Sequence, residues 1–462
     1  MKAAFGSISR YLMLPENVLL RAEHFGGIAF DTLTGMMVEL DREAMMLLSF
    51  VRQSDIMHED DLAARFPGNG SQVRQIIERL LGIGIVVAVS PLPPDSPNSP
   101  EPVARLQPGT LSLHWFAGPH LTAPETVHWA ITYRCESRCP DCYARRQGWR
   151  FTTELDTNAA LRVVEVLANW RVFQLAIGGG EPLLRSDLAD ICGHARRQGV
   201  AVHVTTGYHK VMPNTLRGLS GSVAVLQIGI KHDRLLAAPD EETAALSETV
   251  RTGRDMGIHV GASLMLSNTA ISHFERLIGL LARARFTRIT LLRYKPPADV
   301  SRWREENPSA EALYKLGRQL PEIMHRYPGV AFRIDCALSF LQRHLKPADA
   351  LSAGIRGCVA GERILALAPD GGVFPCSQLV HPDLRAGNIL ADDLDAIWSR
   401  SAVMKSYRSF RSKATFQDTR CGTCMARVHC GGCRIYAEDY FSADPGCPNS
   451  VSRKGDFNDE DY

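Results

Sequence analysis

Residues 131–143 read ITYRCESRCPDCY. Cys135 is followed after three residues by Cys139 and after two more by Cys142, and the next residue is the aromatic Tyr143. The apolar run 127–132 ahead of them reads as a β-strand, so the three cysteines form a loop at its C-terminal end. Three thiolates this close can hold three irons of a cubane cluster. The fourth iron then stays open to an outside ligand, as a catalytic metal keeps a free position. The bland alternative is a zinc knuckle short of its fourth ligand, and a loop directly after a first strand is a poor place for one.

From this loop outward the chain alternates strand and helix. Candidate strands lie at 127–132, 172–177, 201–206, 223–230, 259–265 and 288–293, with helical stretches such as 158–170 and 271–284 between them. Six β/α units with short apolar strands predict a parallel sheet covered by helices. Six is fewer than a closed eight-fold barrel requires, so the fold class is α/β with a partial (β/α)6 barrel. Chemistry in such folds sits at the C-terminal strand ends.

The second strand ends in Gly178-Gly179-Gly180-Glu181-Pro182. Glycines there let a backbone approach a ligand closely, and Glu181 can accept from an ammonium. With this motif in place, the chain resembles the radical S-adenosylmethionine (SAM) superfamily, whose signature is CxxxCxxC plus an aromatic and then a GGEP element. The resemblance implies a 4Fe–4S cluster on Cys135, Cys139 and Cys142. Its open iron binds the amino and carboxylate groups of SAM. One electron then cleaves SAM to methionine and a 5′-deoxyadenosyl radical that abstracts a substrate hydrogen. By the same resemblance Tyr143, Gly179, Gly180, Glu181, Pro182 and Gln227 contact the cofactor.

Other stretches echo the family less closely. Thr205-Thr206-Gly207 ends the third strand, where relatives often carry T-N-G. Gln227-Ile228-Gly229-Ile230-Lys231-His232-Asp233 stands where relatives often read Q-I-S-L-D-G, so the usual serine and Asp-Gly contacts are replaced. His232 is a candidate proton handler, or part of a solvent-facing turn. Arg293, Tyr294 and Lys295 end the sixth strand and either face a substrate or cap the barrel.

From about residue 351 the alternation stops, and cysteine, glycine and turns dominate. Cys358 is followed by twelve residues, Gly371, four residues and Cys376; then come Cys421-x2-Cys424-x5-Cys430-x2-Cys433 and Cys447. A segment this poor in periodic apolar residues needs staples, which metal clusters supply. Two zinc ribbons fit awkwardly, because seven cysteines make one four-thiolate site and leave three over. The pattern resembles a SPASM domain, the auxiliary-cluster extension of many radical SAM peptide maturases, with the last core spacing one residue shorter than usual. That resemblance implies one auxiliary 4Fe–4S cluster on Cys421, Cys424, Cys430 and Cys447. A second would sit on Cys358, Cys376 and Cys433, with its last iron open or filled by another residue. Cys336 is a candidate for that place, though a buried cysteine on an apolar face is the commoner case. Cys192, on a predicted helix, reads as core.

Residues 91–110, PLPPDSPNSPEPVARLQPGT, hold seven prolines and read as an extended, semi-rigid linker. Before them, strands at 17–23, 27–31 and 36–40 and helices at 41–51, 58–66 and 71–81 suggest a winged helix-turn-helix. Residues 1–90 carry eight Lys/Arg against eleven Asp/Glu, a net −3 that suits phosphate binding poorly. A peptide adding to the sheet edge is the better use of such a fold. The unit resembles the PqqD-like leader-recognition domain of peptide maturases, through Tyr11, Pro15-Glu16-Asn17-Val18, Phe25-Gly26-Gly27, Thr34-Gly35 and the apolar stretch 80–85.

The domains expected are therefore 1–90 (leader recognition), 91–110 (linker), 111–350 (barrel), 351–450 (SPASM) and a polar tail, 451–462. A length of 462 residues accommodates them at roughly 100–200 residues per domain. With 52 Lys/Arg against 50 Asp/Glu, net charge gives no reason to expect a nucleic acid or anionic membrane. No apolar run approaches the roughly 18 residues of a membrane span, and the N-terminus lacks a secretory apolar core. A cytoplasmic location is expected, where clustered cysteines are metal ligands before disulfides.

These readings predict an enzyme that modifies a ribosomally made precursor peptide held through its leader, drawing electrons from a donor such as flavodoxin or ferredoxin. Crosslinking and oxidative decarboxylation are the expected outcomes. An open iron on the first auxiliary cluster would lean toward a thioether through a substrate thiolate. Two rivals stand beside this: a SPASM enzyme acting on a sulfatase, a small molecule or a haem precursor, and a non-catalytic iron–sulfur scaffold or electron carrier. A carrier needs no GGGEP.

Overall fold

Asp41 leaves the third predicted strand in extended conformation, and its side chain accepts from Ala44 N, which starts the helix Arg42–Gln53. That cap organises the N-terminal part of the computed structural model. The structure describes residues 10–66, 69–89, 119–137, 139–144, 153–207, 211–297, 300–354, 357–409, 411–412, 416 and 420–447. The linker read at 91–110 and the tail at 451–462 lie outside the described residues.

The chain divides into two compact units, one ending at Thr122 and the other running from Ala123, with Gly199–Ala201 grouped with the first. In the first, strands β1 (Tyr11–Met13), β2 (Val18–Glu23), β3 (Gly26–Asp31) and β4 (Met37–Asp41) precede the capped helix. β3 is the centre of an antiparallel sheet, β2-β3-β4. Asp31 closes the β3–β4 turn: its backbone C=O accepts from Gly35 N, and its carboxylate accepts from Leu33 N and Thr34 Oγ1. Met45, Leu48 and Val51 of the helix bury against Ile77 and Leu80 of the helix Gly70–Gly82. A second sheet places β1 between β5 (Ile56–His58) and β6 (Val87–Val89). Strands of three residues are too short for alternation to be read in a sequence. The described chain returns at Thr122, whose N–H and hydroxyl both donate to Glu23.

The second unit is built on one ten-stranded sheet. All six expected strands are present, as β7 (Thr126–Thr132), β8 (Gln174–Gly179), β9 (Ala201–Gly207), β10 (Val225–Gly229), β11 (His259–Leu266) and β12 (Arg288–Arg293). They pair in parallel and in sequence order. Helices connect them, including Thr157–Asn169, capped by Asp156. The helix expected over 271–284 is two, Asn268–Ser272 and Phe274–Arg283, broken where His273 leaves helical geometry.

The sheet extends past both edges of the six. β13 (Ala331–Ile334) adds in parallel to β12. On the other side β14 (Ile364–Leu367) adds in parallel to β7, followed by antiparallel β15 (Gly372–Phe374) and β16 (Gly387–Asn388). The cysteine-rich segment is thus anchored on the first barrel strand, and an ion pair between Arg363 and Glu125 at 2.5 Å fixes the join. Among the described residues no helix is long and apolar enough to cross a membrane.

Candidate functional site

The cysteine loop leaves β7 at Thr132, whose hydroxyl donates to Glu154 at 2.5 Å and accepts from Arg134 N at 2.9 Å. The glycine motif at the end of β8 straps the same residues. Gly180 N donates to Thr132 O and Glu181 N to Arg134 O, each at 2.8 Å. Approach this close excludes side chains. A Cβ on Gly180 would lie 2.2 Å from Arg134 O, and one on Gly179, whose φ is +115°, would lie 2.3 Å from Thr132 O. The two motifs read separately in the sequence are therefore one backbone assembly. Within the loop Cys142 N donates to Cys139 O, and Cys135 is exposed.

Glu181 is 2% exposed and accepts from Leu183 N, from Thr206 Oγ1 at 2.7 Å and from Gly207 N at 2.8 Å. A carboxylate has about four lone-pair sites, so three of them hold the turn and the end of β9. The Thr-Thr-Gly stretch is the partner of the glycine motif. Pro182 opens the short helical turn Pro182–Leu184 that Glu181 caps. Arg185, from the same turn, donates to Ile131 O and Leu155 O and pairs with Asp187. No sequence signal marks Arg185.

Gln227 of β10 donates to Thr290 Oγ1 at 2.7 Å, while its Oε1 is buried with no protein partner. Lys231 carries its ammonium to 3.1 Å from Cys139 Sγ. The residue that breaks the family-like pattern thus stands at the cysteine loop. His232 is buried instead, within 3.0 Å of Asp233 and 3.3 Å of Ser267 Oγ, at the start of the helix His232–Ala237. It is not the solvent-facing turn residue of one sequence reading. Asp141, inside the loop, accepts from Tyr294 at 2.7 Å and faces Arg302 at 3.6 Å.

Tyr143 links this loop to the C-terminal cysteines. It hydrogen-bonds Gln378 and lies in the electrostatic field of Lys295, Cys142 and Cys376, with burial raising its phenol pKa. Lys295 pairs with Asp335 at 2.5 Å. Burial opposes its charge, but the carboxylate more than offsets this and the ammonium pKa is raised. His128 of β7 feels both members of the pair and contacts Ser377 Oγ at 3.3 Å; burial pushes it down to about 4. A cavity of about 380 Å³ opens beside Tyr143, lined in part by Pro296, Gln378, His381, Arg434 and Ile435. Of the two basic strand-end residues, Lys295 stands near Tyr143 and His128. Arg293 is buried in a bidentate pair with Asp444 at 2.7 and 2.8 Å.

The C-terminal thiols fall into two groups by mutual influence. Cys430 interacts with Cys421 and Cys447, and Cys421 with Cys424. Cys358 interacts with Cys376 and Cys433. Burial drives Cys358 up to about 12 and raises Cys376, Cys421, Cys430 and Cys433 as well. Neutral thiols become thiolates only as metal enters and protons leave, so this donor set suits a group that carries several positive charges. Among the described residues, no three His, Cys, Asp or Glu side chains converge on the centre of a single metal ion.

Residues 129–288 match the radical SAM superfamily, and residues 358–425 match the SPASM iron–sulfur cluster-binding domain. The chain is 28% identical over 348 residues to the mycofactocin maturase MftC of Mycolicibacterium smegmatis, covering 70% of this chain and 81% of that one. It is 26% identical to the PqqA peptide cyclase of Streptomyces rochei, covering 73% and 93%. Among solved structures, SuiB of Streptococcus suis bound to S-adenosylmethionine has the same fold, with a TM-score of 0.67 at 17% identity over 94% of this chain and 99% of that one. SuiB bound to its precursor peptide SuiA aligns at 0.64 and 18% identity over the same shares.

Proposed function

We propose that this chain, which belongs to the radical SAM superfamily and carries a SPASM iron–sulfur domain, modifies a ribosomally made precursor peptide. The observation that carries the proposal is the approach of two thiol systems to one tyrosine. Cys142 of the loop strapped by the glycine motif and Cys376 of the C-terminal segment both stand near Tyr143, beside the Lys295–Asp335 pair. Similarity to a mycofactocin maturase and a PqqA peptide cyclase supports a peptide as substrate.

When bound, the cluster and SAM supply a hydrogen-abstracting 5′-deoxyadenosyl radical. Cys135, Cys139 and Cys142 hold that cluster. Gly179 and Gly180 hold the cysteine loop by close backbone approach and would present their backbone to the cofactor, and Glu181 and Pro182 keep the turn in place. The unpaired Gln227 Oε1 offers an acceptor in the barrel interior, where a buried polar atom without a partner is costly. Tyr143 and Lys295 stand near Cys376 of the second thiol system. Cys358, Cys376, Cys421, Cys424, Cys430, Cys433 and Cys447 would hold auxiliary clusters, which would supply an electron acceptor. A donor such as flavodoxin or ferredoxin in the cytoplasm supplies the initiating electron.

The N-terminal unit holds the leader as an added strand. Asp31 N donates to Met36 O, so in this register Val38 and Leu40 direct their N–H groups to β3 while Met37 and Glu39 direct theirs outward. The outward row is the template for a peptide strand. The test uses the reconstituted full chain with SAM, a reductant and the short peptide encoded beside its gene. The expected product is a mass change on the peptide with 5′-deoxyadenosine formed, both lost in Cys135→Ala. Met37→Pro keeps the β3 ladder and removes one outward donor. It is expected to weaken leader binding while SAM cleavage without peptide persists. An unmodified peptide with SAM turning over normally refutes the peptide substrate.

A further inference from the structure

Tyr294 is the first residue past β12, between Arg293, which reaches Asp444, and Lys295, which reaches Asp335. Its phenol goes to a third place. Tyr294 is 1% exposed, and its hydroxyl donates to Asp141 Oδ1 at 2.7 Å. Its backbone C=O accepts from Trp303 Nε1 at 3.0 Å, so main chain and ring are both fixed. Asp141 is the residue before Cys142, in the turn that Cys142 N closes by donating to Cys139 O at 3.4 Å. A hydrogen bond to a carboxylate is among the strong ones, and this one spans 153 residues of chain to reach the turn between two of the three loop cysteines.

A second group reaches the same carboxylate. Arg302, on the helix Ser301–Glu306, stands 3.6 Å from Asp141 and 3.1 Å from Asp233, which lies 3.0 Å from the buried His232. The far end of that helix is anchored as well. Glu306 accepts from Thr269 N and Thr269 Oγ1, and Glu305 O accepts from Asn268. The glycine strap acts on Thr132 and Arg134, ahead of Cys135. The half of the loop from Cys139 to Cys142 is held separately, by Lys231 at Cys139 and by Tyr294 and Arg302 at Asp141.

We propose that Tyr294 is a positioning residue for the SAM-binding cluster: by holding Asp141 it fixes the turn that carries Cys139 and Cys142. The inference rests on the reading of Cys135, Cys139 and Cys142 as the ligands of that cluster, and deepens it. Three thiolates leave one iron open, and the direction in which it opens depends on where the three sulfurs are fixed. A turn free to shift moves two of the three, while a productive site tolerates a displacement of only about 0.5 Å.

The experiment uses the full chain reconstituted anaerobically with iron and sulfide, as wild type, Tyr294→Phe, Asp141→Ala, Asp141→Asn, and Tyr294→Phe combined with Asp141→Ala. SAM binding is measured by equilibrium dialysis. Electron paramagnetic resonance of the reduced protein, with and without SAM, separates the SAM-responsive cluster from those that ignore SAM. Tyr294→Phe and Asp141→Ala are each expected to weaken SAM binding about tenfold, the scale of one hydrogen bond to a charged group. Each should change the SAM-responsive spectrum alone. The combined variant should bind no more weakly than the weaker single variant, because both substitutions break one contact. Asp141→Asn keeps an acceptor for the phenol and should bind SAM more tightly than Asp141→Ala. Wild-type binding by Tyr294→Phe overturns the proposal, as do losses that multiply in the combined variant or an Asp141→Asn no better than Asp141→Ala. Loss of the SAM-independent spectra together with SAM binding also overturns it, since Tyr294 then acts on the fold as a whole. Wild-type protein with no SAM-responsive cluster overturns the cluster reading itself, and that result involves no substitution.

Discussion

Asp444→Asn is the most demanding test of how the cysteine-rich segment is held. Arg293 and Asp444 are each 1% exposed at the side chain, with N–O distances of 2.7 and 2.8 Å. Asparagine keeps the shape of the carboxylate but not its charge. The guanidinium is left with Ala337 O and the face of Tyr436, 3.5 Å from its carbon. Removing one partner of a buried pair costs about 3–5 kcal/mol, because an uncompensated charge stays behind. Asp444 also accepts from Cys433 N and Gly446 N, so the upper half of that range is expected. At roughly 2–4 °C per kcal/mol for a large domain, the melting temperature should fall by about 8–20 °C. Circular dichroism of apo and reconstituted protein under anaerobic conditions measures this, with iron content recorded alongside. The companion variant, Arg293→Met with Asp444→Leu, removes both charges and should recover most of the loss. A fall below about 2 °C for the single variant, or a double variant no more stable than it, would refute the reasoning.

Three further outcomes follow from the site. Gly180→Ala drives a Cβ to 2.2 Å from Arg134 O, so the strap must open; SAM binding by equilibrium dialysis should fall at least tenfold, and unchanged binding sinks the close-approach account. Lys231→Ala removes a positive charge 3.1 Å from Cys139 Sγ, which makes an added electron less favourable there. Redox titration should find the loop cluster's midpoint more negative by a few tens of millivolts, with Lys231→Arg close to wild type, the effect kept small by the exposure of Lys231. His203 is pushed down to about 3 by burial and then by Arg288, His259 and Arg333. It binds a proton more readily unfolded than folded, so it costs the fold stability as pH drops below about 6.5 toward 3. His203→Gln should flatten the fall of melting temperature between pH 6.5 and 5, and an unchanged slope removes His203 from the acid response.

Much of the site was legible because its chemistry is local. Cys135, Cys139 and Cys142 lie within one turn of loop, and Gly179, Gly180 and Glu181 are consecutive; each motif follows an apolar strand that its composition announces. The strands were legible for the same reason, each a short apolar run between helical stretches. Contacts that join distant residues were not. Arg185, Thr132 and Asp141 sit in sequence surroundings that any surface turn could share. In Lys231-His232-Asp233 the sequence leaves His232 as a proton handler or a solvent-facing turn residue; it is buried, and the neighbouring lysine reaches the cysteine loop.

The cysteine and glycine motifs, their spacing and the parallel α/β order that places them at strand ends can be read from residues alone, because bond geometry and hydrophobic period act over a few residues. Tertiary structure alone decided that β14 pairs with β7, about 240 residues earlier, and so brings Cys376 to Tyr143. It also decided that Arg293 is a strut to Asp444 while Lys295, two residues on, pairs with Asp335. Residues two apart share a face only while a strand lasts; β12 ends at Arg293, so Lys295 is placed by the loop that follows and by its pair with Asp335.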